Sequence, residues 1–71
     1  MAPRHRIGPV TLTPRERDVL RLLAQALTNA EIAARLGIRE QTVKDHVSAL
    51  LGKFHARNRV ALAVAAVRAG H

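Results

Sequence analysis

Residues 28–54 read TNAEIAARLGIREQTVKDHVSALLGKF, and this stretch decides the fold. It divides at Gly37. Upstream, Thr28 and Glu31 stand three residues apart. At that spacing a threonine caps a helix start and a glutamate returns a bond to the cap's own amide. Ile32, Ala33 and Leu36 then share one helical face, which predicts a short helix over about 29–36. Gly37 is the expected left-handed stop, with Ile38 packing back on the last turn. Downstream, Val43, Val47, Leu50, Leu51 and Phe54 form one apolar stripe, which predicts a helix over about 40–54. Its opposite face carries Gln41, Lys44, Asp45 and Ser48, flanked by Thr42, His46 and Lys53. Two helices joined by a tight glycine turn, Gly37-Ile38-Arg39, make a helix-turn-helix.

Two further segments extend the pattern. Thr13-Pro14-Arg15-Glu16 combines a cap, a proline suited to the first helical position and the second half of a capping box. Val19, Leu20, Leu23 and Leu27 follow at helical spacing, which predicts a helix over about 14–26. Asn58 is a good cap for a last helix over about 59–69, which stops at Gly70. Between Val60 and Val67 every residue is Val, Ala or Leu. A thin domain cannot bury every face of a terminal helix, so apolar surface should be left over there. The expected fold is all-α: a four-helix bundle containing a helix-turn-helix. Residues 1–11 are expected to be a basic tail or linker stump, and residues 12–71 the folded domain.

Composition narrows the function. A chain of 71 residues is a single domain with a thin core and no room for an interdomain cleft. It has no cysteine, hence no disulfide and no thiolate metal site. No apolar run approaches the roughly 20 residues that cross a bilayer, so no membrane partner is expected. Twelve Lys and Arg oppose five Asp and Glu, a net charge of +7. The last acid is Asp45, and Lys53, Arg57, Arg59 and Arg68 follow unopposed. Such a balance favours a polyanionic partner, above all nucleic acid. Capping accounts for Glu16, Glu31 and Glu40, and the four histidines form no helical pair. No nucleophile–base set or phosphate-cradling glycine loop is present. Neither an enzyme nor a cofactor or metal site is expected.

A helix of about 20 Å fits the major groove, and short polar side chains along it donate to and accept from base edges. An ordinary bundle with a solvated polar face would show the same pattern, as would a protein-interaction module using its last helix.

The individual letters go further. LTPRERDVLRLLAQ, TNAEIAARLGI, TVKDHVSALLGKF and NRVALAV, spread over residues 12–70, closely resemble the LuxR-type DNA-binding domain of bacterial transcription regulators. Region 4 of sigma factors shares Leu-Thr, Glu-Ile-Ala and Thr-Val-Lys. The histidine two residues after Lys44 and the Asn-Arg start of the last helix favour the LuxR type.

The resemblance implies roles. The third helix would be the recognition helix, with Gln41, Lys44, Asp45 and Ser48 facing bases. Asn29, Arg39, Thr42, His46 and Lys53 would contact or support the phosphate backbone. Val60, Ala61 and Val64 would form a homodimer contact. Double-stranded DNA is the implied partner, RNA polymerase a further candidate, and the bacterial cytoplasm the implied compartment. A sensory domain usually precedes such a module.

Four positions depart from the pattern, one of them Asp45, an acid on the base-facing side that either accepts from a cytosine amino group or rejects wrong sequences by repelling phosphate. Relatives usually carry glycine before the Ser/Thr-Asn of the second helix, where this chain has Ala26-Leu27-Thr28. They usually start the recognition helix with serine, where this chain has Arg39, which cannot accept the helix-start amide bond. Leu62 stands where alanine is usual, which implies altered packing of the last helix.

Overall fold

The computed structural model describes residues 10–71, and the first nine residues, most of the expected tail, lie outside the described region. Four helices follow one another: α1 (Pro14–Ala24), α2 (Asn29–Leu36), α3 (Glu40–Lys53) and α4 (Arg59–Arg68). No strand occurs among the described residues.

Each helix start has a readable cause. The Thr13 hydroxyl accepts from the Glu16 amide at 3.1 Å, and the Glu16 carboxylate accepts from the Thr13 amide at 2.9 Å. Thr28 and Glu31 repeat this arrangement at 3.1 and 2.7 Å. The Asn58 side chain accepts from the Ala61 amide at 2.8 Å. Only α3 lacks a side-chain cap, because Arg39 has no acceptor to offer.

The four ends share one device. Ala26, Gly37, His55 and Gly70 all adopt positive φ, at 70°, 69°, 52° and 87°. After each, the next amide reaches back five residues: Leu27 to Leu22, Ile38 to Ala33, Ala56 to Leu51 and His71 to Ala66. This bond satisfies a carbonyl that the helix end would otherwise orphan. Glycine carries the left-handed residue at α2 and α4, but alanine and histidine do so at α1 and α3. The expected ends at 26 and 54 therefore overran by two residues and one, since no glycine marks either stop. The expected end of α4 overran by one.

The core is aliphatic. Val19, Leu20, Leu23, Ile32, Val43, Leu50 and Leu62 are fully buried, with Leu12, Ala33, Val47 and Ala66 around them. Leu62 is thus a central residue, and α4 packs on α1 and α3 through Leu62 and Ala66. Val10 packs against this core, and the Thr11 carbonyl accepts from Lys53 at 3.0 Å. Among the described residues, Val10 and Thr11 of the expected tail thus already contact the folded domain. No described helix is long and apolar enough to cross a membrane.

Candidate nucleic-acid interface

The geometry of α3 starts from its buried side. Val43, Val47 and Leu50 face the core, so residues about half a turn away must face out. Gln41, Lys44, Asp45 and Ser48 are all exposed. At 100° per residue these four lie within an arc of roughly 100°, spread over about 10 Å of helix. Thr42 and His46 are half-buried on the flanks. The face is internally linked, since Gln41 Nε2 donates to Asp45 Oδ1 at 3.1 Å.

The other predicted backbone contacts fall in different places. Arg39 stands exposed before the first turn of α3. Asn29 is the first residue of α2 and half-buried. Its side-chain oxygen accepts from the Arg59 guanidinium, whose other nitrogen donates to the Leu27 carbonyl at 2.6 Å. Arg59 thereby clamps the α1–α2 turn and the start of α2 to the start of α4. Asn29 keeps its amide N–H groups free, since no other bond to it occurs among the described residues. This clamp was not foreseen from the sequence, which counts Arg59 only among the unopposed basic residues.

Lys53 lies apart from the polar face. Its ammonium donates to Glu16 Oε1 at 2.7 Å and to the Thr11 carbonyl at 3.0 Å. Glu16 is buried, at 6 % exposure, and is the only buried charged residue among those described. The Lys53 ammonium, then the Thr13 amide, hold its carboxyl below the usual carboxylate range against the opposing effect of burial. The pair fixes the end of α3 to the start of α1 and to the segment leading into it. Separation by 37 residues hides such a partner from sequence periodicity.

Helix α4 leaves a second exposed surface. Val60, Val64 and Val67 point outward at 73, 45 and 62 % exposure, while Ala61 is half-buried. Ala24, Ala63, Val64 and Val67, with Arg68 beside them, line a shallow groove between the end of α1 and α4.

This order of helices, with a glycine turn setting a polar-faced helix outward, coincides with a family match. Residues 10–66 match the family described as bacterial regulatory proteins, luxR family. The chain belongs to the LuxR family. It is similar to the nitrate/nitrite response regulator protein NarL of Escherichia coli, 57 % identical over 53 residues that make up 75 % of this chain and 24 % of NarL. The NarP protein of the same organism is 55 % identical over 53 residues, 75 % of this chain and 25 % of NarP. The two-component response regulator PprB of Pseudomonas aeruginosa is 50 % identical over 54 residues, 76 % of this chain and 20 % of PprB. The chain thus spans about a quarter of the length of these relatives. As a LuxR-family helix-turn-helix module it is a DNA-binding regulatory domain and not an enzyme.

Proposed function

We propose that this LuxR-family module binds double-stranded DNA sequence-specifically as the output part of a bacterial transcription regulator, with α3 as recognition helix in the major groove. The observation that carries this reading is the outer face of α3: four exposed hydrogen-bonding side chains, with the small Ala49 beside them, on a helix whose other side is locked into the core. Gln41, Lys44, Asp45 and Ser48 are assigned to base edges. Arg39, Thr42, His46 and the amide N–H groups of Asn29 are assigned to phosphates. Lys53 holds α3 against α1 through two protein acceptors, and the third N–H of its ammonium is assigned to phosphate.

Pairing of two modules through Val60, Ala61 and Val64 of α4 completes the reading. The exposed valine stripe and the adjoining groove support it. Two-fold pairing would set two recognition helices in successive major grooves, about 34 Å apart. The relatives are response regulators by name, which supports a response regulator as the native context; the cytoplasm and RNA polymerase as a further partner belong to the proposal through the family resemblance alone.

Selection of bound sequences from a random DNA pool tests the proposal. The expected outcome is a palindromic consensus, bound with an affinity that falls steeply with salt, by a slope of about −0.9 per phosphate neutralised. An affinity that stays flat between low and moderate salt would rule out DNA as the partner.

A further inference from the structure

We infer that Asp45, held by Gln41, is the residue that selects one base of each half-site, and that this base is cytosine on the strand it faces. The inference rests on the assignment of α3 as recognition helix and adds the chemistry of one of its contacts.

Asp45 is an acid within the face of α3 that is assigned to a polyanion, and the other exposed acid of that helix, Glu40, stands at its first position. The residues flanking Asp45 on the same face are Gln41, Lys44 and Ser48. Among the described residues it makes no salt bridge, and the carboxylate of Asp45 has one partner, the Gln41 amide. That bond uses Oδ1 and leaves Oδ2 for an incoming donor. It also sets the Gln41 side chain, whose nitrogen points to Asp45. A glutamine one turn before an aspartate braces it at the spacing at which helical side chains meet.

A carboxylate offers only acceptors. In the major groove it can be satisfied only by an exocyclic amino group, N4 of cytosine or N6 of adenine, whereas the oxygens of guanine and thymine repel it. The two amino bases are not equivalent. Adenine places its N7 acceptor beside N6, within reach of the second carboxylate oxygen, while cytosine presents a donor and no acceptor in this groove. Cytosine is therefore the base that Asp45 accepts. The same charge acts against every wrong register, because misplacement brings the carboxylate towards phosphates.

The test compares the chain with Asp45→Ala and Asp45→Asn, each carried through selection from a random duplex pool and then titrated on the selected site and on random duplex. The unaltered chain is expected to require cytosine at one position per half-site, with roughly tenfold weaker binding when that base is replaced. Asp45→Ala is expected to lose the preference at that position alone, to keep the others, and to bind random duplex several-fold more tightly. Asp45→Asn is expected to shift the preference from cytosine to adenine, whose N6 and N7 match an amide. An unchanged consensus with tighter binding everywhere would overturn the inference, since Asp45 would then act only by repelling phosphate. Selection of guanine or thymine by the unaltered chain at the position that Asp45→Ala frees would overturn it as well. If the unaltered chain selects no sequence at all, the assignment of α3 falls and the inference falls with it, an outcome distinct from a consensus that ignores Asp45.

Discussion

Ala26 shows how a single residue can carry a cost invisible in composition. Its φ of 70° places the methyl group against the following carbonyl, a conformation that disfavours any residue but glycine by about 1–2 kcal/mol. The family resemblance implies a glycine in the stretch Ala26-Leu27-Thr28, so the departure is visible in the sequence. The strain is not, because it depends on α1 ending at Ala24 and not two residues later. Ala26→Gly should raise stability by about 0.5–1 kcal/mol, less than the full strain because glycine loses more freedom on folding. Urea denaturation of the two chains measures the difference, and an unchanged midpoint would mean that the turn relaxes around alanine.

Lys53 and Glu16 make the opposite case, in which neither residue looked unusual. Capping explained Glu16, and resemblance placed Lys53 on phosphate. Their contact, across 37 residues, becomes visible only when α3 is laid on α1. Lys53→Met should cost about 1–3 kcal/mol, since it leaves the buried Glu16 carboxylate without its strongest partner. The pair also makes stability depend on pH. The folded carboxyl is held below its ordinary value of 4.5, so the folded state favours the charged form. This stabilisation is fully present above the ordinary value and is lost as pH falls through the lowered one. Glu16→Gln should therefore flatten the acid side of the stability profile, which denaturant melts at successive acidic pH values would record.

Among the elements, α3 is the one whose design conflicts with itself. Its beginning is the only helix start without a side-chain cap, and the residue there is an exposed cation. Arg39 also sits at the positive end of the helix dipole, where a cation is unfavourable. A position that weakens its own helix yet aims a guanidinium outward fits a contact made to something outside the chain. Arg39→Ser separates the two roles. Serine caps, so the variant should be more stable by about 1 kcal/mol. If Arg39 reaches a phosphate, the same variant should bind DNA more weakly, with a salt slope reduced by about 0.9. Greater stability with an unchanged slope would assign Arg39 no contact with DNA. The element level was also the most legible in the sequence. Capping boxes at Thr13 and Thr28, the cap at Asn58 and the stop at Gly37 placed all four helices, because each signal is local. The ends of α1 and α3 escaped, because a left-handed alanine and a left-handed histidine leave no mark in a hydrophobic pattern.

For the whole molecule, the deciding quantity is how much apolar surface so few residues can enclose. A chain this short closes one core, and α4 gives it Leu62 and Ala66. The sequence showed that α4 was apolar all round but not which stripe would turn inward. That choice is set by Leu62, which is fully buried where α4 packs on α1 and α3. Val60, Val64 and Val67 are the remainder, and Val64 and Val67 line a groove with Ala24, Ala63 and Arg68. The patch is small, so free modules should pair weakly and a DNA carrying two half-sites should promote pairing. Val64→Glu tests this at the residue nearest the middle of the stripe. Val64 is 45 % exposed, so a glutamate can keep its charge in water and the helical circular dichroism should be unchanged. Binding to a single half-site should change little. Cooperative binding to two half-sites should be abolished, because two-fold pairing brings the two carboxylates together. Loss of the helical signal would place Val64 in the core, and cooperativity that survives the charge would take α4 out of the contact between modules.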